Sequence, residues 1–475
     1  MRDRGSIRPL VMSVALLALL GGCAHAPGAP AHAPAAPGPS QSPKNIIIMF
    51  ADGAAPTQWD FGRYSSQVLR KQPFVTTDVV FREGALGLLV TSPNGAYVTD
   101  SAAAASALST GFKVANGAVS ITPEGASPRT VMEAAKAAGK RVGLVTTATV
   151  YDATPVAFAV HSKSRRDSQA LVDALLAFEP DVLMGGGSEY FLPEGGGGKR
   201  KDGQDVIAAF RARGYRVVTN TAELTAAPDG KLLGLFSDDD MDFEIDRDPV
   251  KEPTTAAMAT AALKALEPSP NGFVLLVENE NIDTAGHHND AASLMRALWA
   301  LDDAVKVALD FQRRHPDTLL IVTGDHETGG FSPTYAFKDM TSQASSNRFY
   351  PGDDQLRMLE RITSSLIRVK EKLGKQPSGE VLDRLLAQHF PGFRLDADLR
   401  ALILAGKTDE RNFSYTPQNA LGRMVARQTG YYWGTSGHTP QPVIVGAIGP
   451  GADLLRGYQD NTDFGKHLHQ LLRVK

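Results

Sequence analysis

Carboxylate and histidine side chains stand in short groups along the chain, and their types are those that bind divalent metals. Asp283 and His287 are four residues apart. Asp325 and His326 are adjacent, and His438 lies near the C-terminus. Carboxylate oxygens and imidazole nitrogens suit Zn²⁺, whereas sites made only of oxygen ligands suit Mg²⁺. Further residues that offer only oxygen are Asp52, Asp152, Thr154 and Glu278.

A serine at the start of a predicted helix is the candidate nucleophile. Ser101 begins the alanine-rich segment Ser101–Leu108, which has strong helix propensity. Either Thr99 or Asp100 could cap this helix, which would leave the serine in the first turn among unpaired backbone N–H groups. A helix N-terminus attracts phosphate and stabilises an alkoxide. Serine alone is a weak nucleophile, so a base or a metal must activate it, and an isolated Asp-Ser pair is more often only a cap.

Asp283 and His287 would lie on one face of a helix, because residues four apart are about one turn apart. With His438 they would form a three-ligand site whose fourth position is open for phosphate or water. His288 is a rival ligand in the same segment. A single Asp–His pair at this spacing is usually a surface salt bridge, but Glu278 and the other ligand segments favour a metal site.

Short apolar runs alternate with helical patterns from residue 45 onward, which predicts a doubly wound α/β sheet with helices on both faces. The predicted buried parallel strands are 45–50, 141–146, 181–184, 273–277, 318–322 and 443–448. The predicted helices are 129–138, 168–178, 206–213, 254–266 and 291–313. Ligand-type residues follow several of these strands, where open α/β sheets bind their ligands.

Residues 331–431 depart from this alternation and show no convincing strand. Their amphipathic segments predict a mostly helical insertion with helices at 355–373, 379–389, 396–404 and 418–428. Because the insertion stands between two ligand segments, it could be a lid over the site or could simply pack against the edge of the sheet.

Residues 1–22 are predicted to be an export signal, since a basic start precedes an apolar run too short to span a membrane comfortably. The run ends in Leu20-Gly-Gly-Cys23, which resembles the lipobox of bacterial lipoproteins and implies lipidation of Cys23. An ordinary signal peptide with a chance cysteine is the alternative. Residues 23–44, rich in proline and alanine, would form an extended tether before a folded domain at 45–475. We therefore expect an exported protein, periplasmic or at the cell surface, anchored to a membrane through lipid.

The net charge, a glycine run and an acidic run give no indication of three common kinds of binding site. The net charge is −3 and no basic stripe is present, so nothing signals nucleic-acid binding. The glycine run Gly195–Gly198 lacks the spacing of a phosphate-binding loop. The acidic run Asp238–Asp240 lacks the central glycine and final glutamate of an EF-hand, so we expect a solvated loop.

The motif Thr99-Asp-Ser-Ala-Ala-Ala-Ala closely resembles the nucleophile motif of the alkaline phosphatases. The resemblance covers about residues 45–448 and is weakest in the insertion. It implies an alkaline phosphatase-like α/β fold, with a central mostly parallel sheet, helices on both faces and a helical insertion. It also implies metal-dependent hydrolysis of small phosphate monoesters through a phosphoserine at Ser101. Family members are often homodimers, which leaves a homodimer open here.

The same resemblance implies two zinc ions and one magnesium ion. The ligands of the first zinc would be Asp283, His287 and His438. Those of the second zinc, next to the serine, would be Asp52, Asp325 and His326. The magnesium ligands would be Asp52, Thr154 and Glu278.

Further roles follow from family spacing. Arg165 would bind two phosphate oxygens through its planar guanidinium, with Arg166 as the alternative by position. Asp152 would bond to a magnesium-bound water, and its carboxylate favours magnesium where many relatives carry histidine. Thr284 also departs from some relatives, which leaves phosphate retention open. Spacing favours His287 over His288 as the zinc ligand.

Other functions stay open beside this one. A phosphodiesterase or phosphonate esterase of the same superfamily would commonly use threonine as nucleophile and lack an arginine at position 165. A non-catalytic phosphate- or metal-binding lipoprotein is a further alternative, and the intact Ser101 argues against it. A sulfatase is disfavoured because Ala103 stands where its modification motif requires proline.

Overall fold

Apolar strands form a sheet through the middle of the protein, and helices cover it. The computed structural model describes residues 42–339, 344–408 and 410–472. The strands are β1 Asn45–Ala51, β2 Ala85–Val90, β3 Arg141–Thr149, β4 Val182–Gly186, β5 Arg216–Val218, β6 Leu232–Leu235, β7 Phe273–Asn279, β8 Thr318–Thr323, β9 Glu327–Thr328, β10 Ser332–Pro333, β11 Ala336–Phe337, β12 Arg348–Phe349, β13 Tyr431–Tyr432, β14 His438–Thr439, β15 Val443–Ile448 and β16 Gly457–Asp460. The helices are α1 Pro56–Ser65, α2 Ser101–Thr110, α3 Val131–Ala137, α4 Ala153–Ala159, α5 Ser168–Phe178, α6 Val206–Ala212, α7 Thr221–Thr225, α8 Thr255–Leu266, α9 Asn281–His288, α10 Ala291–Arg314, α11 Asp353–Glu360, α12 Leu366–Leu373, α13 Gly379–His389, α14 Ala397–Ala405, α15 Gln418–Thr429 and α16 Asn461–Leu472.

The main sheet of the described residues has ten strands in the order β16-β2-β15-β8-β1-β7-β3-β4-β6-β5. The pairs from β8 through β1, β7, β3, β4 and β6 to β5 are all parallel, which confirms the predicted mostly parallel α/β fold. β15 is antiparallel to both β2 and β8. The prediction of a parallel strand at 443–448 was therefore wrong, because an apolar run indicates burial on both faces and not the direction of the strand.

The central strands are apolar on both faces because helices cover both faces. In β1, Ile47 and Met49 belong to one core layer, and Ile46, Ile48 and Phe50 belong to the other. All five side chains are fully buried. Residues of α1, α8 and α10 complete the first layer, while residues of α2 to α6 and α16 complete the second. Burying one such side chain contributes about 1.5–3 kcal/mol, so this strand is strongly fixed in place.

Residues 331–431 contain the predicted helices, together with short strands that the sequence does not indicate. β10 pairs with β13 and β11 with β12, and two-residue pairings are too short to show a period of two. The predicted helix 355–373 is two helices, because Ser365 caps α12 by accepting a hydrogen bond from Arg368 N at 3.0 Å. α15 packs beside α9, and a Cβ at Gly422 would come within 2.5 Å of Asn289 O.

The predicted signal peptide, Cys23 and the tether as far as residue 41 lie outside the described residues. Near the start of the described chain, Lys44 N donates to Asp317 O at 2.8 Å, and β1 begins at the next residue. Within the described ranges, no helix has the length and apolar composition needed to cross a membrane.

Candidate active site

Neighbouring strands bring the predicted ligands to one edge of the sheet. β8, β1, β7 and β3 lie side by side, and their register places Phe50 between Glu278 and Thr323. Asp52 follows β1 and Asp325 follows β8, so both lie just beyond the same carboxyl edge. Gly53 has a φ of 81°, and a Cβ there would come within 2.7 Å of the Cα of Asp283. Strand register and this close approach make one site from segments far apart in sequence.

Ser101 is the first residue of α2, and its hydroxyl faces this edge. Asp100 is the N-cap, with its carboxylate accepting from Ala103 N at 2.9 Å, so the structure uses the second of the two caps that the sequence allows. Small side chains let the whole of α2 lie buried against the sheet. Ser101 is 4% exposed, and its Oγ is 3.2 Å from Nε2 of His326.

Asp52, Asp325 and His326 form a buried group, here named the inner cluster. His326 Nε2 lies 3.1 Å from Asp325 Oδ2 and 3.5 Å from Asp52 Oδ1. Burial, with repulsion from Asp325, raises the pKa of Asp52 well above its usual range. Burial and the Asp283 carboxylate raise the pKa of Asp325 to about 8. Burial and the neighbouring His438 lower the pKa of His326, so the protein itself supplies little positive charge to this cluster.

Asp283, His287 and His438 form the outer cluster. Asp283 Oδ2 lies 3.1 Å from His287 Nε2, and Asp283 Oδ1 lies 3.5 Å from His438 Nε2. Although burial opposes the charge of both groups, His287 holds the pKa of Asp283 well below its usual range. In return, Asp283 overcomes burial and raises the pKa of His287 to about 9. Ligand atoms of the three residues lie within 4.8 Å of one another, as do those of Asp52, Asp283 and His326, so Asp283 borders both clusters.

Backbone carbonyls orient the two histidines of the outer cluster. His287 Nδ1 lies 2.7 Å from Ser436 O, and His438 Nδ1 lies 2.8 Å from Thr99 O. A carbonyl oxygen only accepts, so each Nδ1 carries a proton, and Nε2 is the ring atom that can bind a metal once it has no proton of its own. The Nε2 atoms of the two rings are 3.2 Å apart. The two rings thus turn the same nitrogen toward Asp283, and the three residues form a group that could hold a metal ion.

A third group, here named the oxygen cluster, consists of Asp52, Thr154 and Glu278. All three are fully buried, and Thr154 Oγ1 lies 3.5 Å from Asp52 Oδ2. Thr146 donates to Glu278 Oε2 at 2.6 Å, while burial raises the pKa of Glu278 to about 8. Asp52 Oδ1 and Glu278 Oε1 are buried with no hydrogen-bond partner. Buried oxygens without donors fit a cation that prefers oxygen ligands, as Mg²⁺ does.

Arg165 is held between two carboxylates near the start of α2. Its Nη2 lies 3.1 Å from Asp152 Oδ1, and its Nη1 lies 3.4 Å from Asp100 Oδ2. Burial opposes its charge, but Asp152 and Asp100 raise the pKa of Arg165 further, so it stays a cation. Arg166 is exposed on the surface. Of the two arginines that the sequence leaves open, the structure places Arg165 beside the cap of Ser101.

The structure also distinguishes His287 from its rival His288 and shows what Thr284 contacts. His288 belongs to neither the inner nor the outer cluster: its ring packs against Tyr415 with centroids 4.6 Å apart. Burial and the neighbouring His287 lower the pKa of His288 to about 3, so it remains neutral. Thr284 donates to Glu280 Oε1 at 2.5 Å, which turns its hydroxyl toward a buried carboxylate that sequence reasoning did not single out.

Some residues that support the site were not predicted from the sequence. Thr328 Oγ1 donates to Asp283 Oδ1, and Thr146 donates to Glu278. Thr328 stands three residues after Asp325 in the predicted ligand segment, so its position could have suggested a supporting role. Thr146 ends a predicted strand on the ligand edge, which is the corresponding signal. The carbonyls of Thr99 and Ser436 leave no signal, because any residue has a carbonyl.

Comparison with known proteins agrees with this geometry. A family model described as alkaline phosphatase matches residues 43–474. Alkaline phosphatase 3 of Bacillus subtilis is 30% identical over 90% of this chain and 89% of its own length. The repressible alkaline phosphatase of Saccharomyces cerevisiae is 31% identical over 92% of this chain and 82% of its own. The crystal structure of Thermus thermophilus alkaline phosphatase superposes with a TM-score of 0.82 at 29% identity, covering 92% of this chain and 93% of that one.

Proposed function

The chain belongs to the alkaline phosphatase family and is a metal-dependent hydrolase of phosphate monoesters, and on that premise we propose that Ser101 is its nucleophile. The observation that carries the proposal is the position of Ser101 Oγ, 3.2 Å from His326 Nε2 and at the N-terminus of the ten-residue helix α2. Oγ gives up its proton and attacks phosphorus, the bond to the leaving oxygen breaks, and a phosphoserine forms while the leaving oxygen takes up a proton and departs as the alcohol. Water then attacks the phosphoserine, the bond between phosphorus and Oγ breaks, Oγ regains a proton, and inorganic phosphate is released.

The chain's own residues bind and orient the phosphate. Unpaired N–H groups and the positive end of the α2 dipole favour negative charge at Ser101. The guanidinium of Arg165 can donate two parallel hydrogen bonds to nonbridging oxygens, which matches the planar fork to the flat edge of a phosphate. Asp100 and Asp152 contact its two terminal nitrogens and hold the fork in one orientation. Asp100 thus both caps the helix of the nucleophile and orients the phosphate-binding arginine.

The proposal includes two zinc ions and one magnesium ion. The outer cluster would hold one zinc, the inner cluster the other, and the oxygen cluster the magnesium. Nitrogen and oxygen ligands in the first two and oxygen alone in the third support this assignment. When bound, such cations supply the positive charge that a nucleophilic alkoxide, a leaving oxygen and the phosphate oxygens need. Asp152 would bond to a water of the magnesium shell.

Trapping the intermediate tests the nucleophile. Acid quenching of the enzyme with a ³²P-labelled monoester should leave label on the peptide that contains Ser101. Ser101→Ala should abolish the label and lower kcat by at least ~10³-fold. Ser106→Ala is the matched control, because Ser106 lies in the same helix and its hydroxyl accepts from Ser120 N at 2.7 Å. Label on a peptide without Ser101 would refute the assignment.

A lipid anchor is a separate part of the proposal. It rests on the Leu20-Gly-Gly-Cys23 motif after the predicted signal 1–22, and on the proline- and alanine-rich tether at 23–44. The enzyme would be exported and would act on small phosphomonoesters at the periplasmic or outer surface of a membrane. Cys23→Ala should move it from the membrane fraction to the soluble fraction while kcat stays unchanged. Fractionation like that of the wild type would contradict the anchor.

A further inference from the structure

The outer cluster lies on the solvent side of the site. The side chains of Asp52 and His326 have no exposed surface, whereas His287 is 24% exposed and His438 is 11% exposed. A substrate therefore approaches over the two exposed histidines. Its phosphate reaches inward to Ser101, so the group that leaves, which is the variable part of a monoester, remains on the side of His287.

Tyr415 of the insertion stands on this side of the site. The centroid of its ring lies 5.7 Å from that of His287 and 4.6 Å from that of His288. The ring is inclined at 75° to the His288 ring, which gives an edge-to-face contact on its buried side. The residue is nevertheless 36% exposed. Part of the aromatic surface is thus covered by the ligand helix, and part is left to contact whatever enters.

Hydrogen bonds connect the segment that contains Tyr415 to Asn419 and Ser436, the residues that bond to His287. Tyr415 N donates to Asn419 Oδ1 at 2.8 Å, and Asn419 Nδ2 donates to His287 O at 3.0 Å. Ser414 N donates to Ser436 Oγ at 3.0 Å, and the carbonyl of Ser436 accepts from His287 Nδ1 at 2.7 Å. The ring is therefore held in position relative to a metal ligand before any substrate binds, which lowers the entropy cost of using it.

Apolar surface is also present beside the other exposed histidine. Thr99, whose carbonyl accepts from His438 Nδ1 at 2.8 Å, is preceded by Tyr97 and Val98. Tyr97 is 86% exposed and Val98 is 39% exposed. Large apolar groups left in water close to a site are typical of binding surfaces. The surroundings of His287 and His438 thus favour a leaving group with an apolar face.

We propose that Tyr415 is a specificity-determining residue that packs against an aromatic leaving group and so favours aryl phosphates over small alkyl phosphates. The proposal rests on the proposed function, because it takes the outer cluster as the side where the leaving group lies. A ring contact of this kind changes binding about three- to tenfold. It adds to the affinity for the substrate and leaves the reacting atoms unchanged, so the effect belongs mainly to KM.

The test compares phenyl phosphate with ethyl phosphate in metal-loaded enzyme. In Tyr415→Ala, the ratio of kcat/KM for the two substrates should fall about three- to tenfold through a higher KM for phenyl phosphate. Tyr415→Phe keeps the ring and should hold the ratio within about twofold of the wild type. Tyr458→Ala is the control, because Tyr458 is 68% exposed on strand β16 at the edge of the sheet.

Two further readouts separate the explanations. Equal losses for both substrates, with less zinc by elemental analysis, would mean that the ring only supports His287 and would overturn the proposal. An unchanged ratio with a normal phosphoenzyme at Ser101 would also overturn it, while leaving the proposed function intact. Absence of that phosphoenzyme in the wild type would instead contradict the proposed function, and with it the basis for the role of Tyr415.

Discussion

The inner and outer clusters use the same kinds of ligand but carry charge in opposite ways. In the outer cluster, Asp283 and His287 form an ion pair 3.1 Å apart, with the pKa of the acid lowered and that of the base raised to about 9. In the inner cluster, burial raises the pKa of Asp325 to about 8 and lowers that of His326. One cluster is thus charged without any metal, and the other resists charge.

The difference follows from depth. The two histidines of the outer cluster are partly exposed and face the buried Asp283, so an imidazolium can form there and stabilise the carboxylate. Inner-cluster side chains have no access to water, and His438, stacked on His326 with centroids 3.6 Å apart, opposes a positive charge there. A buried carboxylate ionises only if a cation compensates the lost solvation. The inner and oxygen clusters therefore depend on metal for their charge state, whereas the outer cluster is already arranged.

Among the tests of this contrast, removal of metal should have the largest effect on activity. Exhaustive chelation should lower kcat by more than ~10³-fold, since neither the nucleophile nor the leaving oxygen retains its positive neighbours. Full recovery should need zinc and magnesium together, because nitrogen-containing and oxygen-only ligand sets differ in preference. Rates and elemental composition would be measured after each addition. Full activity in protein shown to be metal-free would disprove the metal mechanism.

Arg165→Ala should come next in size, and it tests the substrate class. The wild type should prefer monoesters to diesters by several orders of magnitude in kcat/KM, a gap of at least ~4 kcal/mol, because a diester caps one of the oxygens that the guanidinium binds. The variant should lower kcat/KM for monoesters about 10²-fold and for diesters less than tenfold.

Arg166→Ala is the matched control, because Arg166 is the exposed neighbour and should leave both substrates unaffected. Equal losses for monoesters and diesters in Arg165→Ala, or a wild-type preference for bis-aryl phosphates, would favour the phosphodiesterase alternative.

The stability of the metal-free protein should depend on pH, and this dependence tests the contrast between the inner and outer clusters. Asp325 and Glu278 have folded pKa values of about 8, above their ordinary values near 4. At these two carboxyls the folded state therefore binds more protons than the unfolded state between about pH 4 and pH 8, so their contribution to the free energy of unfolding falls as pH rises through that window. The raised pKa of His287 acts in the same direction, up to about pH 9.

Below about pH 6.5, the lowered pKa values of His326 and His288 act in the opposite direction. We therefore expect the metal-free protein to lose about 3 kcal/mol or more of stability from about pH 6.5 to pH 8, as measured by urea unfolding. The metal-loaded protein should lose much less, because cations replace the bound protons. Asp325→Asn should flatten the profile of the metal-free protein. If the free energy of unfolding depended on pH in the same way in the metal-free and the metal-loaded protein, the carboxylates of the inner and oxygen clusters would not be the source of this pH dependence.

The sequence predicts the candidate ligands at the edge of the sheet better than it predicts the groups that hold those ligands in place. Asp52 and Asp325 follow apolar runs, and in an open α/β sheet such positions meet at one edge, so their convergence could be expected. The direction of β15 could not, since its pattern shows burial alone. Nor could the carbonyls of Thr99 and Ser436, because a backbone acceptor is defined by the path of the chain and not by a residue type.

Tyr415 shows the same limit within the insertion. Amphipathic periodicity indicates the insertion's helices, because it reflects packing against the core. The residue that meets the outer cluster lies in a loop between α14 and α15, where no period exists. Long-range contacts such as Asn419 to His287 O fix that loop, and only a three-dimensional arrangement reveals them.

The smallest effect should come from substitution of Thr328, whose hydroxyl lies between the inner and outer clusters. Its hydroxyl donates to Asp283 Oδ1 and lies 3.2 Å from Nδ1 of His326, so one side chain positions a ligand of each cluster. Thr328→Val should keep the shape and weaken zinc binding about tenfold, the usual cost of removing a bond that orients a metal ligand. Zinc affinity would be measured by competition with a chromophoric chelator, and excess zinc should restore kcat.

Thr439→Val is the matched control, because Thr439 lies in the same two-stranded pairing of β9 with β14. Its hydroxyl donates to Glu327 Oε2 at 2.5 Å, and Glu327 is outside all three ligand clusters. Both variants remove a hydroxyl donor from the same small sheet, so a loss of the pairing itself would affect them alike. Weaker zinc binding in Thr328→Val alone would show that the hydroxyl acts on the ligands. Equal weakening in both would mean that the pairing, rather than the bond to Asp283, holds the clusters together.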